Sequence, residues 1–169
     1  MSFEYAQELQ AIRDALEKQD VEVDFGPASE ADMDYLRSMG YPESVCQFYE
    51  EAEPERWIEI NEARLDPISE MRIENEQAVP GYIIVPLGYR VIGTTITGDA
   101  YCIDINAVGP DGQPAVFLAT HDEIYEDSTE EEIRAGIIQI SSSFREFLGA
   151  FAEGKLTVDF YDLKEDRDA

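Results

Sequence analysis

The stretch that decides the fold runs from residue 100 to residue 120 and reads AYCIDINAVGPDGQPAVFLAT. Both of its ends are rich in β-branched and aromatic residues, and the turn sequence GPDG lies between them at 109–112. A connection this short joins antiparallel strands, because a parallel crossover needs about a dozen residues or more. The stretch therefore predicts two adjacent antiparallel strands, at 100–107 and 114–119.

Strand-like composition extends in both directions from these two segments. Residues 82–87, YIIVPL, predict a third strand of the same sheet, with Pro86 at a strand end, an edge or a bulge. Trp57 begins a candidate strand, WIEI, and residues 157–169 predict a last strand followed by a tail. Residues 137–140, IIQI, fit either a strand or a helix.

Helical periodicity and capping signals lie on both sides of the predicted sheet. Residues 2–19 carry apolar residues at spacings of three and four, which predicts an amphipathic helix with Ser2 available as its N-cap. Capping-box spacing also marks the starts of two further helices, at Ser29 with Asp32 and at Ser143 with Glu146.

Four more residues mark the starts and ends of predicted helices. Pro42 and Pro67 suit the first turns of two short helices, while Gly40 and Gly154 are placed to end longer ones. Helices that flank a mainly antiparallel sheet form an α+β fold. With 169 residues, of which 44% are apolar, we expect a single domain over 1–169 that buries about two thirds of its unfolded surface.

The strongest compositional feature is charge. The chain has 38 Asp and Glu against 12 Lys and Arg, a formal net charge of −26. Nucleic-acid binding is disfavoured because it needs a basic surface that replaces counterions on phosphate, and anionic membranes are disfavoured for the same reason. Three explanations of the acidity remain open: general solubility, adaptation to a salty cytoplasm, and complementarity to a basic partner.

The N-terminus and the cysteines indicate a cytoplasmic protein. The opening residues MSFEYAQELQ carry Glu where a secretory signal has a basic region, and no apolar run reaches the length of a membrane span. Cys46 and Cys102 lie in separate apolar contexts without a C-x-x-C spacing. We expect both to be reduced thiols in the core.

Catalytic and metal-binding chemistry finds little support in the residues. His121 is the one histidine, so a Ser or Cys nucleophile has few bases available, and we interpret it as a lone solvated side chain in an acidic loop. The segment GTTITGDA resembles a phosphate loop but places Asp99 where the lysine should be. An EF-hand pattern starting at Asp104 fails because Val108 and Ala115 occupy ligand positions. We therefore expect no catalytic residues, no cofactor and no metal site.

The order of these elements resembles the SUKH superfamily (Smi/Knr-like), over about residues 28–156. The matching pieces are, in order, SEADMDYLRSMGYPESVCQFYEEA from Ser29, LDPISEM from Leu65, VPLG from Val85, GDAYCID from Gly98, the hairpin residues Asp111, Gly112, Pro114 and Val116, and SSSFREFL from Ser141. Two departures are the acidic EEAEPE after the first helix pair, where the family has an asparagine-glycine turn, and GTTITG before GDAYCID, where the family is richer in glycine. The helix at 2–19 and the strand and tail at 157–169 lie outside the match.

The resemblance implies an α+β fold with a mainly antiparallel sheet flanked by helices. It also implies, as for many bacterial members, an immunity protein that binds and neutralises a cognate toxin without being an enzyme. Eukaryotic relatives act in cell-wall regulation, so a regulatory scaffold is the alternative function.

We expect the partner to be a basic protein, such as a nuclease toxin, that meets acidic side chains and aromatic anchors. Seven of the twelve residues from His121 to Glu132 are acidic, and a second acidic run follows a predicted helix. For Trp57 and Tyr101, core and sheet-edge positions are the alternative to binding. The candidate partner-binding residues are Glu50, Glu51, Glu53, Glu55, Trp57, Asp99, Tyr101, Asp122, Glu123, Glu126, Asp127, Glu130, Glu131 and Glu132.

Overall fold

The computed structural model describes residues 3–168. Its helices are α1 (Ala6–Lys18), α2 (Glu30–Ser38), α3 (Glu43–Ala52), α4 (Ile68–Glu76), α5 (Gly81–Ile84), α6 (Glu130–Ala135), α7 (Phe144–Glu153) and α8 (Phe160–Asp168). Its strands are β1 (Phe25–Gly26), β2 (Glu53–Pro54), β3 (Ile58–Ile60), β4 (Ala63–Leu65), β5 (Tyr89–Thr95), β6 (Ala100–Val108), β7 (Pro114–Ala119) and β8 (Ile137–Ser141). No helix within this part of the chain is long and apolar enough to cross a bilayer.

Strands β3 to β8 form one antiparallel sheet in which every strand pairs with the next one along the chain. The pairing of Cys102 with Phe117 confirms the predicted hairpin at 100–107 and 114–119. The ambiguous segment IIQI is an edge strand, β8, at 137–141. The small β1–β2 ladder forms a separate two-stranded sheet. The α+β prediction is therefore confirmed.

The two faces of the large sheet bury two hydrophobic clusters of unequal size. Tyr101 and Ile103 belong to the larger cluster, whereas Cys102, between them, belongs to the smaller one, as the two-residue period of a strand requires. Helices α1, α2, α3, α4, α7 and α8 contribute to the larger cluster, and α5 and α6 to the smaller one. The two clusters form the core of a single domain.

Helix α1 packs against α7 and extends the larger cluster. Arg145 of α7 donates a hydrogen bond from Nη1 to the Oε1 of Glu8 at 2.7 Å, and its guanidinium carbon lies 4.6 Å from the ring centre of Tyr5. The ring of Phe144 lies edge-on to Tyr5, with centroids 5.8 Å apart. Aromatic packing and a charged pair therefore tie the first helix to the domain.

Most of the predicted helix boundaries agree with the structure. The Oγ of Ser29 accepts a hydrogen bond from the backbone N–H of Asp32 at 3.1 Å, and the Oγ of Ser143 accepts one from that of Glu146 at 3.0 Å. Pro42 and Pro67 are N-cap residues. Gly40 and Gly154 have positive φ angles of 82° and 69° and follow α2 and α7 as predicted. The first helix begins at Ala6, and the predicted cap Ser2 lies outside the described residues.

The predicted strand at 82–87 is wrong. Residues Gly81–Ile84 form α5 and Val85–Leu87 form a 3₁₀ turn that contains Pro86, so this proline lies in no strand. Gly88 ends the turn with a φ of 99°, and β5 begins at the next residue. The VPLG segment, which the resemblance describes as a strand, is therefore the turn that leads into β5.

The predicted strand and tail at 157–169 are also wrong for the described residues; Ala169 lies outside them. Residues Phe160–Asp168 form α8, and the Oδ1 of Asp159 accepts a hydrogen bond from the N–H of Tyr161 at 2.9 Å near its first turn. Phe160 is 1% exposed and belongs to the larger cluster. Leu163, three positions later, packs against the same cluster, and this spacing fits one face of a helix but not one face of a strand.

Candidate protein-binding surface

An acidic loop connects β7 to α6, and its first residues are held by a buried carboxylate. Asp99, which is 5% exposed, accepts three hydrogen bonds at Oδ1. They come from the Oγ1 of Thr120 at 3.2 Å, from the N–H of His121 at 3.0 Å and from the Nδ1 of His121 at 2.6 Å. Buried Asp99 therefore fixes the start of the loop from the adjacent β5–β6 turn.

The imidazole of His121 lies between two carboxylates. Its Nε2 is 3.1 Å from the Oδ1 of Asp122, while Nδ1 faces Asp99. The side chain is 35% exposed and contacts both Asp99 and Asp122, in contrast to the lone solvated histidine that we expected from the sequence.

The middle of the loop is anchored to the smaller cluster and presents an exposed aromatic ring. Ile124 is fully buried, whereas Tyr125 is 56% exposed. The phenol of Tyr125 donates a hydrogen bond to the backbone carbonyl of Asp122, and its N–H donates to the Oγ of Ser128 at 3.0 Å. Glu126 accepts a hydrogen bond from the phenol of Tyr82. These contacts connect the loop to the rest of the domain and leave Tyr125 facing solvent.

Helix α6 carries the last three acidic residues of the run. Thr129 and Glu132 form a capping box, with the Oγ1 of Thr129 accepting from the N–H of Glu132 at 3.2 Å and the Oε1 of Glu132 accepting from the N–H of Thr129 at 3.0 Å. Hydrogen bonding to Thr129, first to its backbone N–H and then to its side chain, holds the pKa of the Glu132 carboxyl below its usual range. Glu130 is 3.5 Å from Arg134, and Glu131 is exposed. Negative charge in the first turn is also favoured by the helix dipole.

Helix α8 lies beside the acidic loop. The Nζ of Lys164 is 3.1 Å from the Oε1 of Glu123, which joins the helix to the loop. Tyr161 is 42% exposed. Desolvation, followed by the negative charges of Glu123 and Asp122, raises the pKa of the Tyr161 phenol. Because the sequence suggested a strand and tail here, sequence analysis missed Tyr161 and Lys164.

The second acidic run is largely engaged in contacts within the chain. Glu50 forms an ion pair with Arg37, and the Oε2 of Glu53 accepts from the N–H of Ile68 at 2.9 Å. Desolvation is the largest influence on Glu53 and raises the pKa of its carboxyl. Glu53 is thus a cap for α4.

Three further residues complete this second run. Glu55 accepts a hydrogen bond from the N–H of Asp24 at 3.3 Å, and Glu51 is exposed. Trp57 is 43% exposed, and its ring is covered by the guanidinium of Arg64 at 4.2 Å. This run precedes β3, one edge of the large sheet, whereas the acidic loop and α6 precede β8, the opposite edge. The two acidic runs are therefore separate features of the fold.

Two of the candidate residues lie inside the protein. Asp99 is occupied by the three hydrogen bonds described above. Tyr101 is fully buried, and its phenol donates a hydrogen bond to the carbonyl of Thr157 at 2.9 Å. Asp99 supports the loop, and Tyr101 holds the segment that leads into α8. Both residues thus position the surface from beneath.

The segment GTTITGDA forms the end of β5, the β5–β6 turn and the start of β6. Gly93 belongs to β5, and Gly98 occupies the β5–β6 turn with a φ of 100°. Within residues 3–168, no three side chains among His, Cys, Asp and Glu come together in an arrangement that could hold a metal ion. Cys46 and Cys102 are buried free thiols, as expected.

Neither a comparison with protein-family models nor a comparison with curated proteins finds a match for the chain. The SUKH resemblance therefore rests on the quoted motifs and on their order along the chain.

Proposed function

We propose that the chain is a non-enzymatic immunity protein of the SUKH type that acts in the cytoplasm by binding a cognate toxin with a basic surface. The observation that carries this proposal is the acidic loop, whose conformation is fixed by Asp99 while its carboxylates remain near or at the surface. An acidic surface that serves only solubility needs no such internal support.

The charge balance of the loop and α6 supports a basic partner. Asp122, Glu126, Asp127 and Glu131 are all exposed. The acidic run from His121 to Glu132 contains seven carboxylates. Among the described residues, Arg134 and Lys164 form ion pairs with two of them. Carboxylates this close repel one another in the free protein, so a basic partner gains attraction and also relieves repulsion. The same field accelerates association.

The direct test is protection against the protein encoded next to this protein's own gene. That neighbour is expressed in a bacterial host with and without the present protein, and growth is measured. We expect the neighbour alone to stop growth, and co-expression to restore growth through a complex that co-purifies. The immunity role would be contradicted if the neighbouring gene product were harmless, or if it were toxic but formed no complex. A harmless gene product that binds the present protein would favour the regulatory scaffold.

A second experiment tests the basic-partner part of the proposal. The association rate of the purified pair is measured at rising salt, first for the unmodified protein and then with Glu130, Glu131 and Glu132 changed to Gln. We expect the rate to fall with salt and to fall about tenfold in the triple variant at low salt. Glu50→Gln with Glu51→Gln is the control at the other acidic run. A rate that responds neither to salt nor to the triple change would exclude electrostatic capture by this segment.

A further inference from the structure

Three segments that are distant in sequence meet at one end of the large sheet. They are the β5–β6 turn at 96–98, the acidic loop and the first turns of α8. A Cβ added to Gly98 would lie 3.6 Å from the His121 ring, and Asp99 bonds that ring directly. Lys164 links α8 to Glu123 of the loop. We call this composite the His121 end.

The His121 end carries exposed apolar side chains in each of its three segments. Ile96 is 44% exposed, Tyr125 is 56% exposed and Tyr161 is 42% exposed. The other large exposed hydrophobic residues of the described chain are spread over different elements: Trp57, Ile73, Val79 and Val108. Protein-protein contacts are commonly centred on such aromatic side chains, surrounded by a polar rim.

Both tyrosines are held in place before any partner arrives. The phenol of Tyr125 is hydrogen-bonded to the carbonyl of Asp122. Tyr161 follows the buried Phe160, and the two rings meet edge to face with centroids 5.6 Å apart. A fixed ring loses little conformational entropy on binding, so it retains more of its contact energy.

Other aromatic rings of this chain pack against arginine side chains, which indicates the kind of side chain that the two tyrosines can bind. Arginines of this chain lie over the rings of four aromatic residues: Arg145 over Tyr5, Arg13 over Phe25, Arg72 over Tyr35 and Arg64 over Trp57, at 4.2–5.4 Å. No arginine of the described chain lies over Tyr125 or Tyr161 in the same way. Tyr161 is close to the carboxylates of Glu123 and Asp122, and Tyr125 donates to the backbone carbonyl of Asp122 within the same acidic loop, where negative charge attracts a cation.

We infer that the His121 end is where the partner docks, with Tyr125 and Tyr161 receiving arginine side chains of a basic protein surface. A guanidinium stacks on an aromatic face and bonds a carboxylate in two places, so one arginine satisfies a ring and a neighbouring acid together. His121 contacts Asp99 and Asp122, Lys164 contacts Glu123, and Tyr82 donates to Glu126. Asp122, Glu126 and Asp127 are nevertheless exposed, and a carboxylate accepts several hydrogen bonds, so these three side chains can still bind the partner. This inference rests on the proposed function and specifies its interface.

The inference is tested with the toxic neighbouring gene product as the probe. Dissociation of the complex is measured for the unmodified protein, for Tyr125→Ala with Tyr161→Ala, and for the matched control Trp57→Ala, whose ring is already covered. We expect the double variant to dissociate at least about tenfold faster and the control to stay within about twofold. Changing both tyrosines to Phe keeps the ring faces and should preserve most of the binding.

Hydrogen exchange of the complex provides a measurement that does not depend on the variants. Protection confined to residues 96–98, 121–127 and 160–164 supports the inference. Protection elsewhere, with unchanged dissociation of a folded double variant, overturns the inference and leaves the immunity role standing. Failure of the unmodified protein to bind its toxic neighbour overturns the proposed function, and this inference with it.

Discussion

The Nδ1 of His121 lies 2.6 Å from the Oδ1 of Asp99, a residue 22 positions earlier in the chain. Asp99 is almost fully buried and also accepts hydrogen bonds from the Thr120 hydroxyl and the His121 backbone. One carboxylate oxygen therefore connects the β5–β6 turn to the acidic loop. Residues on either side of this contact form the surface that we propose for binding.

Asp99→Asn should loosen the acidic loop. The amide keeps the shape of the side chain but loses the charge, which weakens the three hydrogen bonds that Asp99 accepts from Thr120 and His121. We expect a loss of roughly 1–3 kcal/mol in the free energy of unfolding, measured in urea, and faster hydrogen exchange at residues 120–128. Asp122→Asn, at an exposed position, is the control and should change stability by less than about 0.5 kcal/mol. Equal effects of the two changes would contradict a special role for Asp99.

Asp66 should make the protein less stable as the pH rises. It is 3% exposed, and burial, followed by the charges of Glu74 and Glu70, raises its pKa to about 8. The folded state thus keeps a proton that the unfolded state releases above about pH 4. The stabilisation is complete below about pH 4 and is lost as the pH rises through 8.

Replacing Asp66 by Asn, which does not titrate, isolates this contribution. We expect the stability of the variant relative to the unmodified protein to increase from pH 5 to pH 9 by several kcal/mol, an order-of-magnitude value. Urea unfolding at a series of pH values measures it. Glu51→Gln, at an exposed carboxylate, should show no such trend, and a stability difference for Asp66→Asn that is constant with pH would refute the raised pKa.

Glu62→Gly should stabilise the β3–β4 hairpin. Asn61 and Glu62 have φ angles of 49° and 71°, as the two central residues of a type I′ turn require. Glycine adopts this conformation without the steric cost of a Cβ, so we expect a gain of about 0.5–1 kcal/mol in thermal or urea unfolding. Asn61→Gly is the counterpart that should give no gain, because it removes the Asn61 Nδ2 hydrogen bond to the Gly154 carbonyl at 2.7 Å. Equal gains in both variants would show that this hydrogen bond contributes little.

Phe160→Ala should destabilise the protein strongly, because its ring is 1% exposed within the larger cluster. We expect a loss of roughly 3–4 kcal/mol in urea unfolding, as for other buried aromatic residues cut back to alanine. Tyr161→Ala, at the next and exposed position, should cost less than about 1 kcal/mol. A small effect at Phe160 would mean that α8 does not dock on the domain.

Elements that local chemistry specifies were predictable from the sequence. The β6–β7 hairpin followed from a short turn between two β-rich segments, and α2 and α7 from their serine caps and terminal glycines. Strand β5 was missed because Gly93 resembles a turn residue. It is needed in the strand because a Cβ there would lie 2.1 Å from the Arg64 carbonyl oxygen of β4.

The acidic loop of the candidate site was visible in the sequence, but its construction was not. The contact between Asp99 and His121 joins residues that no local pattern relates. Helix α8 was missed because LTVDFYDL alternates like a strand, whereas the packing of Phe160 and Leu163 against the larger cluster identifies the helical face. The arginines that cover aromatic rings come from distant positions, as with Arg145 and Tyr5.

The packing of α1 on α7 has a consequence for synthesis on the ribosome. The ion pair between Glu8 and Arg145 spans 137 positions, so α1 leaves the exit tunnel long before its binding site exists. At about 5–20 residues per second, the wait lasts on the order of 7–30 seconds. During that interval the apolar face of α1, with Ile12 and Leu16, has no native partner on α7. Nascent chains of this protein should therefore engage chaperones through their first 20 or so residues until α7 emerges.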